Sequence, residues 1–507
     1  MPSRLATGAK LIPDKSARAG PLRILMVSAE YAPFAKTGGL ADMVTGLCKA
    51  LAGAGHDVRV VVPFYSALSH GQDEPQPTGT IKLGGIQVSP VALEGVHPGY
   101  TLTQVPAASR HEPLLYQIDA PQFFASGAIY GGGELEARRF ALLAHGALRL
   151  CELLDWSPQI IHCHDWHAAL APVLLKSGYL RSPALRSASS VLTIHNIGYQ
   201  GVFRGTLAPE LGLVAAPDPA GPVPDLNFLR DGISAADALT TVSPTHAAEI
   251  LTPEYGKGLD TLLIQRRNRL VGILNGVDYS AWDPASDARL PARYDGRQLA
   301  GKARCREALI ARADLRPGLA VPLLGMVTRL AEQKGIELVV EALPPLLRQR
   351  QVQLVVLGQG EERYVGELRR LQESFPDLFH YFDVQDESLA RLIFAGADAF
   401  VVPSIYEPCG LTQLYALRYG AVPIVRETGG LKDTVRHFDA ASHSGTGSVF
   451  KDANATGLTW AISEVLSWFG QPALWARLQQ NGMAEDFSWR HEAPHYEALY
   501  ARLTGGR

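Results

Sequence analysis

The sequence predicts an α/β fold with parallel sheets, built twice in succession. Three stretches carry that expectation. Residues 22–27, LRILMV, form an apolar run that ends in a turn holding Lys36, Thr37, Gly38 and Gly39; helical spacing follows over 43–52, and then a second run, DVRVVVP, at 57–63. That is a strand, a glycine turn, a helix and a strand, the opening of a doubly wound sheet. Residues 322–327, PLLGMV, restart the same order, with polar residues at 328–335, a helical pattern at 336–348 and another apolar run at 352–357. The third stretch is the densest. Ala399, Phe400, Val401 and Val402 stop at Pro403 and Ser404; Glu407 lies on the turn; residues 411–417 are apolar at helical spacing; Gly420 closes them; and 421–425 are apolar again before Thr428, Gly429 and Gly430. Continuous apolar runs of this length, bounded by turn residues, are how strands buried on both faces read.

Composition narrows the function classes. A chain of 507 residues has room for two or three domains. Apolar residues make up 47% and charged residues 19%, the balance of a water-soluble globular protein, and a net charge of −3 gives no sign of a nucleic-acid partner. The five cysteines are odd in number and far apart, so a disulfide framework is not expected and a reducing cytoplasm is. No apolar stretch is long enough to span a membrane. Residues 1–20 carry Arg4, Lys10, Lys15 and Arg18 without an apolar segment, which reads as a disordered leader rather than a secretory signal.

In the first half, Lys36 and the paired glycines Gly38 and Gly39 fall at the first strand-to-helix turn. Adjacent glycines let a backbone approach a ligand, and a lysine there sets a point charge on a phosphate. The spacing fits neither the dinucleotide fingerprint nor a Walker loop, and a plain loop is the alternative. Residues 66–136, rich in Gly, Pro and Ser, read as a hairpin-bearing insertion. A helix is expected over 138–154 and a strand over 159–162, leading to His164, Asp165, Trp166 and His167. Three histidines, His162, His164 and His167, together with Asp165 invite a metal hypothesis, but their spacing lacks the paired ligands of zinc sites, so no metal is expected. The run at 191–194 ends in His195 and Asn196, where ligands bind in open α/β sheets; a buried, hydrogen-bonded histidine is the alternative. Asn275, Gly276, Val277 and Asp278 precede a Pro- and Asp-rich stretch, and a boundary falls near 270–280.

In the second half, Arg329 and Lys334 follow the strand at 322–327, and two cations at a strand's carboxyl end suit a diphosphate, or are simply solvated. Gly358 ends the next strand. Glu407 lies beside Cys409, Gly410, Leu411 and Thr412, where a helix begins. Free N–H groups at a helix start favour an anion. A carboxylate beside a phosphate pocket points to group transfer from a phosphorylated donor; the alternative is a helix cap and a core cysteine.

Read in order, KTGGLAD (36–42), HDWH (164–167), TIHN (193–196), TTVSPT (240–245), NGVD (275–278), TRLAEQKG (328–335), YEPCGLTQLY (406–415), TGGL (428–431) and DFSW (486–489) resemble the bacterial glycogen and starch synthases over residues 22–503. The resemblance implies the GT-B fold, two Rossmann-like domains facing each other across a deep cleft, with the 66–136 insertion over it. It divides the chain into a leader at 1–20, an acceptor-side domain at 21–270, a donor-side domain at 271–485 and a terminal helix at 486–507 that crosses back to the first domain. It implies an enzyme that moves glucose from ADP-glucose to the non-reducing end of an α-1,4-glucan with retention of configuration. Lys36, Gly38, Gly39, Arg329, Lys334, Gly358 and the backbone of Cys409, Gly410, Leu411 and Thr412 would meet the donor and its diphosphate. Asp42, Asp165 and Asn275 would lie near the sugar, His195 would contact its ring, and Glu407 would stabilise the anomeric centre. Tyr130 and Arg139 are the candidates for acceptor contact. Neither cofactor nor metal is expected, because protein cations neutralise the leaving group.

The chain departs from the family pattern at three places. Ile405 stands where the signature has arginine, Gln385 where a tyrosine often stacks on adenine, and residues 125–136 are shorter than usual. The alternative readings are a related transferase using UDP-glucose or a short acceptor, and a non-catalytic glucan-binding protein. The retention of Lys36, His195, Arg329, Lys334 and Glu407 together speaks against the second.

Overall fold

The computed structural model describes residues 20–65, 81–86, 100–105, 109, 112–125, 128–213 and 224–505. The leader expected at 1–20 therefore lies, apart from Gly20, outside the described residues, as does much of the 66–136 stretch. The chain divides into two compact units: Met1–Val242 with Ala247–Gly276 and Trp489–Arg507, and Val277–Ser488 with Ser243–His246.

The first unit is organised by a nine-stranded sheet. Its strands are β1 (Arg23–Val27), β2 (Asp57–Pro63), β3 (Ile81–Ile86), β4 (Tyr100–Val105), β5 (Leu114–Asp119), β6 (Ile160–His164) and β7 (Ser189–Ile194), then, after a small ribbon of β8 (Val202–Phe203) and β9 (Leu226–Asn227), β10 (Ala238–Thr241) and β11 (Leu270–Gly272). The order across the sheet is β11-β10-β7-β6-β1-β2-β5-β4-β3. All pairs are parallel except β4 with its two neighbours. Side chains of β1 alternate in the way a two-faced strand demands. Leu25 and Val27 enter the core beneath the helix Glu134–Leu153, while Ile24 and Met26 enter the core on the other face, shared with the helices Gly39–Gly53 and Trp489–Thr504. Residues 114–119, read from sequence as part of an insertion, instead form a core strand paired in parallel with β2. Their burial on both faces, not their alternation, decides the placement.

The second unit has six parallel strands: β12 (Leu323–Val327), β13 (Gln353–Leu357), β14 (Phe379–Phe382), β15 (Ala399–Val402), β16 (Val422–Arg426) and β17 (Ser448–Phe450), in the order β14-β13-β12-β15-β16-β17. The expected helix over 336–348 is present as Ile336–Arg348, and its apolar stripe fills the core with Leu324, Met326, Leu354 and Val356. The helices Ala300–Arg312 and Glu362–Ser374 carry more charge and were not read from the sequence.

In both sheets the winding reverses once. The chain moves outward from β1 to β2 and β5, then returns to lay β6 on the other side of β1; likewise it moves from β12 to β13 and β14, then returns to lay β15 beside β12. The loops leaving the carboxyl ends of such a central pair diverge, and that opening is where open α/β sheets bind ligands. It singles out the loops after β1, β6, β12 and β15.

The first unit continues to Gly276 rather than to 270, because β11 pairs with β10 as the last strand of the sheet. The last helix begins at Trp489, not 486, and belongs to the first unit. It is held by an indole in a slot made by glycines: a Cβ on Gly46 would lie 1.9 Å from Trp489 Nε1, and one on Gly276 2.5 Å from its ring. Tyr500 Oη lies 2.7 Å from His162 Nδ1, and Glu497 Oε1 lies 3.0 Å from His56 Nε2. Because His56 Nδ1 accepts the Leu22 N–H, Nε2 is the nitrogen that donates to Glu497. Trp489→Ala is expected to lower unfolding free energy by about 3–5 kcal/mol, the usual loss for a buried ring. Gly46→Val is expected to destabilise by wedging the same indole out. Urea unfolding followed by intrinsic fluorescence checks both, and an unchanged midpoint for either variant contradicts this account of the slot.

Candidate functional site

The loop after β1 is built around a residue with no signal in the sequence reading. Glu30 is 3% exposed. Its Oε2 accepts from Thr37 N at 2.8 Å and Gly38 N at 3.3 Å, and its Oε1 accepts from Thr37 Oγ1 at 3.0 Å and Tyr130 Oη at 2.5 Å. The helix Gly39–Gly53 starts directly after, so its first N–H groups open at the carboxyl edge of β1. Lys36 lies on the rim of this loop, with Nζ 2.8 Å from Asp42 Oδ1, and both side chains are partly exposed.

At the end of β6, Asp165 adopts φ 59, a left-handed conformation that aspartate tolerates better than most residues. Its Oδ1 accepts from the backbone N–H of His195 at 2.9 Å and of Asn196 at 3.3 Å, which joins the loops after β6 and β7. Burial pushes the Asp165 carboxyl up to about 7, against the pull of those two N–H groups. Burial also lowers the His195 imidazole to about 3, so it is neutral over the physiological range. His164 Nδ1 and His195 Nε2 are 3.1 Å apart, while His162 is engaged by Tyr500 and by Thr193 Oγ1 at 2.6 Å. The histidines thus take part in hydrogen bonds and ring contacts. Among the described residues no group of three or more His, Cys, Asp or Glu side chains is arranged to hold a metal. Asn275, beyond the end of β11, is 6% exposed, and its Oδ1 has no hydrogen-bond partner among the described residues.

Arg139, a candidate acceptor contact, lies inside the first unit. Arg139 is 1% exposed, enclosed by the rings of Tyr65, Phe124 and Phe140, and Nη2 donates to Ala128 O at 3.2 Å. Its guanidinium supports the 128–133 segment from inside and is not presented to a polymer. Tyr130 gives its hydroxyl to Glu30 and stacks on His167, with centroids 4.8 Å apart.

In the second unit the loops after β12 and β15 are bolted together. Glu407 is 6% exposed, and its Oε2 accepts from Lys334 Nζ at 2.6 Å and Ser404 Oγ at 2.8 Å. Backbone bonds reinforce the pair: Ile405 N donates to Gln333 O at 2.8 Å, and Gln333 Nε2 donates to Tyr406 O at 3.1 Å. Two glycines make the approach possible. Gly335 has φ +68, and a Cβ on it would lie 2.2 Å from Pro403 O; Gly429 has φ +43, and a Cβ there would lie 1.9 Å from Glu407 O. Both positive φ and backbone contact exclude a side chain. Ile405, in the place of the family arginine, packs against the second core, while the Arg426 guanidinium donates to its carbonyl. Arg329 is exposed on the loop after β12. Gly358 lies against that loop, where its Cβ would meet Thr328 O at 1.8 Å. Cys409 is buried, and Gln413 Nε2 donates to the carbonyls of Cys409 and Gly410, which orders the turn carrying Leu411 and Thr412. Gln385 is exposed on the loop after β14.

The structure therefore joins Glu407 with Lys334, Asp165 with His195, and Lys36 with Asp42. It adds Glu30 and Ser404, whose partners lie too far along the chain, or in too ordinary a pattern, to be read as a motif.

Comparisons with known proteins agree with this layout. The family described as starch synthase catalytic domain matches residues 23–265, and the family described as glycosyl transferases group 1 matches residues 311–481. A glycogen synthase of Anaeromyxobacter dehalogenans (strain 2CP-1) is 43% identical over 494 residues, spanning 96% of this chain and 100% of that protein. The glycogen synthase of Myxococcus xanthus is 43% identical over 491 residues, spanning 95% and 100%. Among solved structures, the catalytic domain of starch synthase IV from Arabidopsis thaliana, bound to ADP and acarbose, superposes with a TM-score of 0.86 at 32% identity, covering 96% of this chain and 100% of that one. The chain belongs to the glycogen and starch synthase family of GT-B glycosyltransferases.

Proposed function

We propose that this protein is a glycogen synthase that transfers glucose from ADP-glucose to the non-reducing end of an α-1,4-glucan with retention of configuration. The observation that carries the reading is the buried Glu407, fixed by Lys334 and Ser404 at the point where the second sheet reverses. Full-length identity to glycogen synthases, and the ADP named for the starch synthase IV structure, support the donor and acceptor classes.

Breaking the glucosyl–phosphate bond leaves negative charge on the diphosphate and positive charge on the anomeric carbon. In this reading the second unit offers Lys334, Arg329 and the backbone of residues 409–412 to the first charge, and the first unit offers Lys36 and the N–H groups at the start of Gly39–Gly53. A fixed cation is worth most where it needs no reorganisation, and Lys334 is already oriented by Glu407. For the developing positive charge the second unit offers Glu407, as an anion, and the first unit offers the neutral His195, through a ring lone pair. Asn275 Oδ1, buried and lacking a protein partner among the described residues, accepts from a sugar hydroxyl. Asp165 positions His195 through its backbone. The departing phosphate oxygen takes the acceptor's hydroxyl proton on the face it leaves, so retention needs no second carboxylate of the kind retaining hydrolases use. The reading invokes no cofactor or metal. Gln385, exposed and without a ring to stack on a base, makes UDP-glucose the competing donor.

ADP release with glycogen as acceptor tests the proposal. Fast release with ADP-glucose, falling by about a thousandfold in Glu407→Ala, is the expected outcome, an order typical of losing one preorganised charged group. A preference for UDP-glucose would keep the transferase and change the donor. No turnover with either donor by a folded protein would overturn the reading.

The carboxyl of Asp165 gives a second test. Its folded pKa of about 7 lies above its ordinary 3.8, so between those values the folded protein holds a proton that the unfolded chain has lost. Stability contributed here falls as pH rises toward 7. Asp165→Asn is therefore expected to lose activity yet melt at a higher temperature than wild type at pH 8, with the advantage vanishing near pH 4. Calorimetric melts at both pH values check this, and a variant less stable at pH 8 contradicts it.

A further inference from the structure

Glu30 is a buried carboxylate whose partners are all neutral donors, and they come from two separate stretches of chain. One is the pair Thr37 and Gly38, directly after Lys36 and directly before the helix Gly39–Gly53. The other is Tyr130. The segment carrying Tyr130 has little of its own to order it: Gly131, Gly132 and Gly133 are exposed, and a Cβ on any of them would meet nothing within 4 Å. It is instead pinned at fixed points: Arg139 Nη2 on Ala128 O at 3.2 Å, Glu136 Oε1 on Gly131 N at 2.8 Å, and the Tyr130 hydroxyl on Glu30. The Tyr130 ring, stacked on His167, holds the hydroxyl in line. A charged acceptor strengthens each of these bonds, which explains a carboxylate where an amide would fit.

We propose that Glu30 is a positioning residue for the nucleotide-sugar donor. Through Thr37 and Gly38 it sets the angle at which Lys36 and the first N–H groups of Gly39–Gly53 meet the diphosphate, and Tyr130 locks that setting. Tyr130 then acts on the donor through Glu30, and its hydroxyl is not spent on the acceptor. The inference rests on the function proposed above, and it assigns a coupling between two segments that the sequence treats as unrelated.

Titration calorimetry with ADP, alongside steady-state kinetics with ADP-glucose and glycogen, tests the coupling for wild type, Glu30→Ala, Tyr130→Phe, the double variant and Glu30→Gln. Glu30→Ala is expected to weaken ADP about tenfold or more and to raise the donor KM in step, the scale of losing hydrogen bonds to a charged group. The glycogen KM is expected to stay within roughly twofold, since the loss is confined to the donor. Tyr130→Phe should weaken ADP several-fold, and the double variant should bind no more weakly than Glu30→Ala. Glu30→Gln, whose amide oxygen still accepts from Thr37 and Gly38, should recover most of the affinity. A folded Glu30→Ala that binds ADP as wild type does, losses that multiply independently in the double variant, or a raised glycogen KM with donor KM unchanged would each overturn the proposal. If Glu30→Ala does not fold, Tyr130→Phe decides: unchanged ADP affinity overturns the coupling. Wild type that binds ADP but transfers no glucose would defeat the proposed function while leaving this coupling measurable.

Discussion

The ion pair between Lys334 and Glu407 is the interaction on which the loops at the carboxyl edge of the second sheet depend. Two opposite charges with little exposure hold each other only if geometry and extra hydrogen bonds offset their desolvation. Here Ser404 supplies one such bond, and the crossed bonds of Gln333 supply the rigidity. The pair also fixes the backbone around it. Glu407 O is approached so closely by Gly429, and Pro403 O by Gly335, that the loops after β12, β15 and β16 pack directly on one another. Charges oriented this way need no reorganisation to act, and reorganisation is what makes electrostatic stabilisation costly in water.

The first unit solves a different problem. Its polar residues sit at the ends of β1, β6 and β7, where burial decides protonation. His162, His164, His167 and His195 are all driven toward the neutral form by burial. Asp165 is driven toward its own neutral form by the same cause. Anchoring therefore falls to Glu30, which gathers N–H and O–H donors around one carboxylate. A carboxyl held above its ordinary range, as Asp165 is, is also a standing cost to the folded state.

The last helix ties the fold to the end of the chain. Its indole fills a slot that only Gly46 and Gly276 leave open, and its tyrosines line the back of the histidine cluster, Tyr500 on His162. The polar residues at the carboxyl end of β6 are thus braced from behind by residues more than three hundred positions away in sequence.

The architecture and most charged residues of the candidate site are legible in local sequence pattern. Strands buried on both faces must be continuous apolar runs, so β1, β2, β12, β13 and β15 could be read directly, and the glycines and charges that follow them could be placed at carboxyl ends. Local pattern was enough for Lys36, His195, Lys334 and Glu407 to be singled out. Pattern failed where the deciding fact was a partner distant in the chain. β5 looked like part of an insertion because its pairing with β2 is not written in its own alternation. Arg139 stands as an acceptor candidate in the sequence because nothing nearby announces the aromatic enclosure that buries it. Glu30 carried no motif, because what gives it a role is the convergence of Thr37, Gly38 and Tyr130 on one carboxylate. Sequence spacing records which residues share a face of one element. Which elements meet, and which charge is left to bind what, only the tertiary packing decides, because desolvation and pairing depend on neighbours in space.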